Sequence, residues 1–508
     1  MNPPANRLIV NTAWLYGKIV VNLVVLLLTT RIILHGLGQT DYGIFNIVGG
    51  AIAMLGFLNS AMAQTTQRFL NYCEGQGDSF KLKQIYNVSI ILHIIVACLV
   101  GSVLAIIGYC FFEDIVNIPL PRLFASKVVY VCLVVSTVVT VLSSPFEAVI
   151  NSHENFKLFA LISILENLLK LLAAVACLFA SQDKLIVYGL LIGSIPFLTL
   201  AIKFFYCQRH YSECIFRPTA YYSPSVIREM SSFMGWNLLG VTSYLVGYHG
   251  QSVVLNQFFG VLVNAAQGVS AQVGSAYTTL SNHALKVISP VLTKSEGENN
   301  RERVYYYTLM GCRIPYMLAV AIAIPIFLLS SEILDLWLVD VPLWTLVFLR
   351  LQIIRHLVDL MFKNLSTTIY AQGNIRLFSF VSSFLYLLPL IVSALFFHYG
   401  YPPYSLYLVW IVAALLQGFS ALYFCHKSTG LPVRVFMVEV FATCIFLTVI
   451  SLIPYYLMQH VSDTIACRVM ATALSTILFI LLGWRFILKD AERQAFRQFV
   501  IRFVSQKS

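Results

Sequence analysis

Lys18 lies inside a long apolar run near the start of the chain, and its position says more about chemistry than that of any other residue. It stands about ten residues into the run, or about 15 Å along a helix, which is too deep for its side chain to reach the end of the run easily. No acidic residue lies one helical turn away in the same run. A buried ammonium group pairs either with a carboxylate on another helix or with an anionic ligand such as a phosphate, and both alternatives stay open.

Polar and small side chains share one helical face in each of four apolar runs. In the first run Trp14, Lys18 and Asn22 recur at helical spacing, and comparable residues follow in three later runs. Such faces either allow close helix packing or line a water-filled cavity, and their place on the first two helices of each half favours a shared cavity. The candidate substrate-binding residues are Trp14, Lys18, Asn22, Asn46, Gln64, Asn237, Tyr244, Tyr248, Asn264 and Gln272.

Titratable side chains in two later runs are candidates for an ion-coupling role. Arg355, Asp359 and Lys363 repeat every four residues, so they can also neutralise one another along a single helix face. His249 has an ordinary pKa close to neutral pH, although a hydrogen-bonded packing histidine is the simpler interpretation. The candidate ion-coupling residues are His249, Arg355 and Asp359, with structural ion pairs as the alternative.

These residues belong to a chain of 508 residues, of which 59% are hydrophobic and only 11% charged. A soluble domain carries about 25% charged residues, so the composition excludes a soluble enzyme, a disordered chain and a fibrous protein. Apolar runs of about twenty residues recur along the sequence, and each can cross a bilayer as a helix. We therefore predict an all-α polytopic membrane protein with about fourteen transmembrane helices. The predicted spans are 8–32, 42–66, 86–111, 124–149, 156–180, 185–207, 232–258, 261–285, 304–330, 343–370, 376–398, 404–425, 435–458 and 465–488.

The basic residues indicate the orientation of the chain. Most of the 33 Lys and Arg residues fall in connectors that lie on one side of the membrane if the N-terminus is cytoplasmic. The positive-inside rule then places both termini in the cytoplasm. It also accounts for the net charge of +11 without nucleic acid as a partner.

Motifs for other chemistry are missing from the sequence. It contains no GxxxxGK[ST] phosphate loop, no HExxH or comparable metal spacing and no CxxC pair. The connectors are short, whereas membrane-embedded sugar polymerases and ligases usually carry a large external loop. We therefore predict that the protein is not an enzyme and needs no cofactor or metal.

A weak internal repeat suggests the domain organisation. One common offset pairs Asn46 with Asn264 and Gly50 with Gly268, which relates the second span to the eighth. Both spans end on the same side, so the repeat is parallel, with six spans in each half. The predicted domains are an N-terminal six-helix lobe (1–210), a C-terminal six-helix lobe (211–430), two additional helices (431–488) and a basic amphipathic cytoplasmic tail (489–508).

Short motifs along the chain point to a known family. They are NTAW at 11–14, LGQTDYGIF at 37–45, QR at 67–68 and SPVLTK at 289–294. With these motifs the chain resembles polysaccharide-biosynthesis membrane proteins, the Wzx-like lipid-linked oligosaccharide flippases of the multidrug/oligosaccharidyl-lipid/polysaccharide (MOP) exporter superfamily. The resemblance covers essentially the whole chain.

The resemblance implies two six-helix lobes around a central cavity lined by helices one, two, seven and eight. It implies alternating access that moves an undecaprenyl-pyrophosphate-linked oligosaccharide to the outer leaflet of the bacterial inner membrane, for lipopolysaccharide, O-antigen or capsule. The implied partners are membrane lipids, H⁺ or Na⁺ as coupling ion, and polymerase or glycosyltransferase machinery. Basic cavity residues of such flippases face the pyrophosphate, and Lys18 matches that role by position.

Three alternatives stay open from the sequence. A cation-coupled multidrug antiporter of the same superfamily would place an acidic residue in the first or seventh helix, where this chain has Lys18 and no carboxylate. A membrane-embedded polysaccharide polymerase or ligase would need a large external loop with paired catalytic groups. A scaffold without transport activity within a biosynthetic complex is the third alternative.

Overall fold

The structure is a computed structural model that describes residues 4–53, 56–110, 112, 118–338, 340–459, 464–494 and 497. Within these ranges the chain is helical and contains no β-strand, which confirms the all-α prediction. The helices are α1 (Pro4–Ala53), α2 (Gly56–Gln76), α3 (Ser79–Cys110), α4 (Leu120–Ser152), α5 (Phe156–Leu178), α6 (Lys184–His210), α7 (Pro224–Gly297), α8 (Arg301–Leu328), α9 (Ser330–Trp337), α10 (Thr345–Gln372), α11 (Arg376–His398), α12 (Ser405–Thr429), α13 (Val433–Phe436), α14 (Thr443–Ser451), α15 (Ile453–Gln459) and α16 (Ile465–Leu482).

Within the described ranges, 10 helices are long and apolar enough to cross a membrane. Each of them coincides with one predicted span. The other predicted spans lie in α1 with α2, in α7 and, from Thr345 onward, in α10. The molecule is therefore a multi-pass membrane protein.

One glycine interrupts each of the two longest helices. Gly38 in α1 (φ 76°, ψ 172°) and Gly260 in α7 (φ 75°, ψ −171°) adopt the same backbone conformation, which a residue with a Cβ rarely takes. The break at Gly38 separates the first two predicted spans, and the break at Gly260 separates the seventh from the eighth. In both halves of the chain, two helices are thus joined through a glycine in the same backbone conformation.

Residues 13–238 form one compact unit, which we call the N-terminal unit. Within it α4 packs against α2, α3 and α6, and α5 packs against α6. Val129 and Leu185 are fully buried in its core because apolar faces of these helices meet there. At one end of α4 the Arg122 guanidinium binds the carboxylates of Asp41 and Asp183, which ties α1 and α6 to α4.

Residues 239–508, together with residues 1–12, form the second compact unit, which we call the C-terminal unit. Here α10 packs against α8 and α12, and α11 packs against α12. The buried Asn364 amide of α10 donates to the Tyr307 and Thr308 carbonyls of α8 at 3.0 and 2.9 Å. Gly311 makes this approach possible, because a Cβ there would lie 2.1 Å from Asn364 Nδ2. The division of the chain into six-helix lobes at 1–210 and 211–430 stays a prediction.

The last helices of the chain, α14 and α16, pack against α8. Arg313 of α8 has a side chain only 3% exposed, and it donates to Glu492 at 3.1 Å and to the Ile487 carbonyl at 3.2 Å. Glu439 follows α13 and binds Lys489 at 3.0 Å. These contacts fix the segment after α16 to the C-terminal unit. Residues 495, 496 and 498–508 of the predicted amphipathic tail lie outside the described residues.

Candidate functional site

Three pairs of side chains connect α1 to α5 within the unit 13–238. Trp14, Lys18 and Asn22 lie one helical turn apart on α1. Each contacts a residue of α5; Phe159 and Ser163 are one turn apart on α5, whereas Lys157 is two residues before Phe159 and reaches α1 from another face of the first turn. We call this set the α1–α5 ladder, and its pairs are Trp14 with Lys157, Lys18 with Phe159, and Asn22 with Ser163.

The ammonium groups of the ladder rest on aromatic rings of the opposite helix. Lys18 Nζ lies 4.2 Å from the centroid of the Phe159 ring, and Lys157 Nζ lies 5.6 Å from a Trp14 ring centroid. Such contacts contribute about 0.5–2 kcal/mol each, the larger value where water is excluded. Lys18 is half-buried and Lys157 is exposed. The rings therefore hold two positive charges at defined places along α1 and α5.

The deeper end of the ladder is a hydrogen bond. Asn22 Nδ2 donates to Ser163 Oγ at 3.2 Å, while Asn22 Oδ1 is buried and has no hydrogen-bond partner among the described residues. At the other end Asn155 caps α5, because its side-chain oxygen accepts from the Leu158 amide at 3.2 Å. Lys157 thus belongs to the first turn of α5, where the helix dipole is positive.

A second cluster of charged residues lies in the C-terminal unit. The Arg355 guanidinium carbon lies 4.1 Å from the centroid of the Trp410 ring, and Nη1 donates to Gln251 Oε1 at 3.2 Å. Its Nε lies 3.9 Å from Asp359 Oδ2. The Arg355 side chain is 4% exposed and that of Asp359 is 38% exposed, although Asp359 is in the middle of α10. The Asp359 carboxylate thus keeps an accessible surface beside a buried cation.

Aromatic residues of α7 and α11 surround this charged pair. The rings of Tyr244 and Tyr386 meet edge to face at 5.4 Å, and Tyr244 stacks with Tyr248 at 6.1 Å. Gly247 allows this packing, since a Cβ there would lie 2.5 Å from the Tyr386 carbonyl oxygen. His249 is exposed, and its ring lies 5.3 Å from that of Tyr248.

The other candidate residues have separate positions. Asn237 is 2% exposed and donates to the Ala61 carbonyl at 3.0 Å, so its amide holds α7 against α2 within the N-terminal unit. Gln64 of α2 and Gln272 of α7 are exposed. Asn264 Oδ1 is buried and has no hydrogen-bond partner in the part of the chain that the structure describes.

The structure thus groups the candidate residues into two clusters, one in each unit. Trp14, Lys18 and Asn22 lie together on the ladder. Arg355, Tyr244 and Tyr248 belong to the second cluster with Asp359, whereas His249 is exposed and contacts the Tyr248 ring. The side chain of Asn46 lies outside the described residues. Among the described residues, no group of three or more His, Cys, Asp or Glu side chains is placed to bind a metal ion.

Sequence reasoning missed the α5 side of the ladder and the α11 and α12 side of the second cluster. The predicted fifth span, 156–180, contains Lys157, but the sequence does not indicate that this residue contacts α1. Nothing in a single sequence indicates that Phe159, Tyr386 or Trp410 faces a charged residue on another helix.

A third group of charges lies at the end of α4. His153 Nε2 is 2.5 Å from Glu213 Oε1, and the His153 ring stacks on Tyr211 with centroids 4.1 Å apart. Glu74 of α2 lies 3.9 Å from His153 Nδ1. Burial raises the pKa of Glu213, but the hydrogen bond and charge of His153 outweigh burial, so the pKa lies below its usual value. The contacts fix the connector after α6 to α4.

We expect the stability that Glu213 provides to be lost as the pH falls through its depressed pKa. The folded-state pKa is lower than the unfolded value of about 4.3, so the ionised carboxylate stabilises the fold above that pH. The measurement compares Tm of the wild type and Glu213→Gln between about pH 6 and about pH 3. The difference should shrink towards the acid end. A difference that stays constant or grows there contradicts the assignment.

Comparison with known proteins gives matches only at the level of structure. No protein-family model and no curated protein matches the chain. The fold is similar to a crystal structure of MATE in the straight conformation, with TM-score 0.70 and 13% identity over 85% of this chain and 97% of that chain. It is also similar to an outward-facing multidrug resistance MATE family transporter of the MOP superfamily, with TM-score 0.70 and 12% identity over 85% and 97%.

A third similar structure differs in its printed description. It is a MOP superfamily transporter from Pyrococcus furiosus, with TM-score 0.67 and 12% identity over 86% of this chain and 97% of that chain. Its description states that a binding pocket of reversed polarity suggests a different function for that protein. At these identities the likeness shows the fold. The chain therefore has the fold of MATE transporters of the MOP superfamily.

Proposed function

We propose that the protein is a flippase that moves a lipid-linked oligosaccharide with a phosphate-bearing headgroup across the membrane by alternating access. The observation that carries the proposal is the position of Lys18, a half-buried ammonium group of a membrane span that rests on the Phe159 ring near the start of α5. A positive charge within a membrane span attracts an anionic group more strongly than it would in water. A phosphate oxygen is such an anion, and an ammonium group binds it as a point charge.

The sign of the charge argues against a cationic cargo at the ladder. Both ladder charges, Lys18 and Lys157, are positive, and a cationic drug would be repelled by them in a medium of low dielectric constant. The Pyrococcus furiosus protein offers a parallel, because its description relates pocket polarity to function. The best substrate by this criterion is an undecaprenyl-pyrophosphate-linked oligosaccharide used for cell-surface polysaccharide.

The cluster around Asp359 is our candidate for ion coupling. Its partly exposed carboxylate lies beside the buried Arg355 guanidinium. Protonation of Asp359, or Na⁺ binding to it, would weaken its pairing with Arg355 and change the contacts between α7 and α10. A gradient of H⁺ or Na⁺ across the bacterial inner membrane would then drive transport.

The proposal also assigns an orientation and partners. Both termini lie in the cytoplasm, and the substrate enters from the inner leaflet, where cytoplasmic glycosyltransferases would supply it. A polysaccharide polymerase on the opposite side would consume the product. The basic connectors favour this orientation through the positive-inside rule.

Multidrug antiport is the second candidate function. It is favoured by the exposed fraction of the Asp359 carboxylate, 38%, and by the aromatic rings of Tyr244 and Tyr248 near it. Carboxylates with aromatic neighbours attract organic cations. One of the similar structures is described as a multidrug resistance transporter.

Two assays distinguish the two candidate functions: lipid movement in reconstituted vesicles and drug resistance in cells. The full-length protein in vesicles should speed the movement of a fluorescent polyprenyl-diphospho-N-acetylglucosamine between leaflets, relative to vesicles without protein. Expression in a host that lacks its own efflux pumps should leave resistance to cationic drugs unchanged. Drug resistance without flipping would overturn the proposal in favour of antiport.

A further inference from the structure

The two ladder lysines are placed reciprocally on α1 and α5. Lys18 of α1 lies over an aromatic ring of α5, and Lys157 of α5 lies over an aromatic ring of α1. Trp14 and Lys18 are one helical turn apart, which is about 5.4 Å along the axis. Lys157 Nζ therefore lies over the residue that is one turn from Lys18 on α1, so the two ammonium groups belong to the same part of the contact between α1 and α5.

The surroundings of Lys157 distinguish it from an ordinary connector lysine. It lies in the first turn of a capped helix, where backbone N–H groups add positive potential. The nearest acidic residue along α5 towards the membrane interior, Glu166, is paired with Lys170 at 2.7 Å. An ammonium group has three donors, and the Trp14 ring covers one side of it. Lys157 as a whole is exposed.

We propose that Lys157 is a second headgroup-binding residue, and that it acts with Lys18 to select a lipid-linked saccharide with two phosphates over one with a single phosphate. The inference rests on the proposed flippase function. A diphosphate that bridges lipid and sugar carries one negative charge on each phosphate, so two ammonium groups match its charge. A single bridging phosphate needs only Lys18.

The test is a binding titration of the full-length protein in lipid nanodiscs. The probes are farnesyl-diphospho-N-acetylglucosamine and farnesyl-phospho-N-acetylglucosamine. Lys157→Gln should weaken binding of the diphosphate probe about tenfold and leave binding of the monophosphate probe within about twofold. Lys157→Arg keeps the charge and should restore most of the preference.

Lys127→Gln is the matched control. Lys127 is an exposed lysine of the same unit whose Nζ lies 5.9 Å from the Phe112 ring centroid, and its loss should change neither titration. If the wild type binds both probes and Lys157→Gln retains the full preference, the role of Lys157 is overturned while the proposed function stands. If the wild type binds neither probe, the proposed function falls and this inference falls with it.

Discussion

Lys18→Glu is expected to lower the flipping rate of a diphosphate-linked saccharide by about 100-fold or more. The substitution replaces an attractive charge with a repulsive one beside the headgroup, and two unit charges 4 Å apart interact by about 4 kcal/mol at an effective dielectric constant of 20. The measurement is the rate of leaflet exchange in vesicles that contain equal amounts of protein.

Two further variants separate charge from folding. Lys18→Arg keeps a cation over the Phe159 ring and should retain a large part of the rate. Lys18→Met removes the charge with little change of volume and should lie between Arg and Glu. If the Lys18→Glu protein folds normally and transports at the wild-type rate, the proposed contact between Lys18 and phosphate is wrong.

Glu492→Ala is expected to destabilise the C-terminal unit by about 3–5 kcal/mol. The change leaves the guanidinium of Arg313, only 3% exposed, without its nearest carboxylate at 3.1 Å, and Glu439 at 3.8 Å compensates only in part. The measurement is Tm of the purified protein, which should fall by several degrees, together with the yield of folded protein.

Asp490→Ala is the matched control for this variant. Asp490 also pairs with an arginine, Arg493 at 3.4 Å, but its side chain is 89% exposed. Exposed ion pairs contribute about 0–1 kcal/mol, so Tm should hardly change. Equal effects of the two substitutions would contradict the idea that burial makes the contact with Arg313 important.

The membrane helices could be predicted from the sequence because their signal is local. An apolar run of about twenty residues identifies a span without knowledge of its neighbours, and the polar face of Trp14, Lys18 and Asn22 follows from helical spacing alone. The structure confirms the all-α membrane fold and shows these three residues on one side of α1.

The partners of those polar faces could not be predicted, because helix pairing is a tertiary property. The sequence left open whether Lys18 meets a carboxylate or an anionic ligand, and it gave no sign that Phe159 of α5 lies under the ammonium group. Asn237 has the composition of a cavity residue, yet its amide bonds the Ala61 carbonyl of a neighbouring helix. Arg313 likewise finds Glu492 far along the chain.

Site-specific photocrosslinking at the α1–α5 ladder tests the central claim most directly. A benzophenone amino acid at position 159 keeps a ring beneath Lys18, and the same residue in place of Phe205, a 68% exposed phenylalanine of α6, is the control. We predict strong labelling of position 159 by farnesyl-diphospho-N-acetylglucosamine containing a radiolabel, removed by excess unlabelled probe, with weak unspecific labelling at position 205. Equal labelling at both positions, unaffected by competitor, would contradict headgroup binding at the ladder.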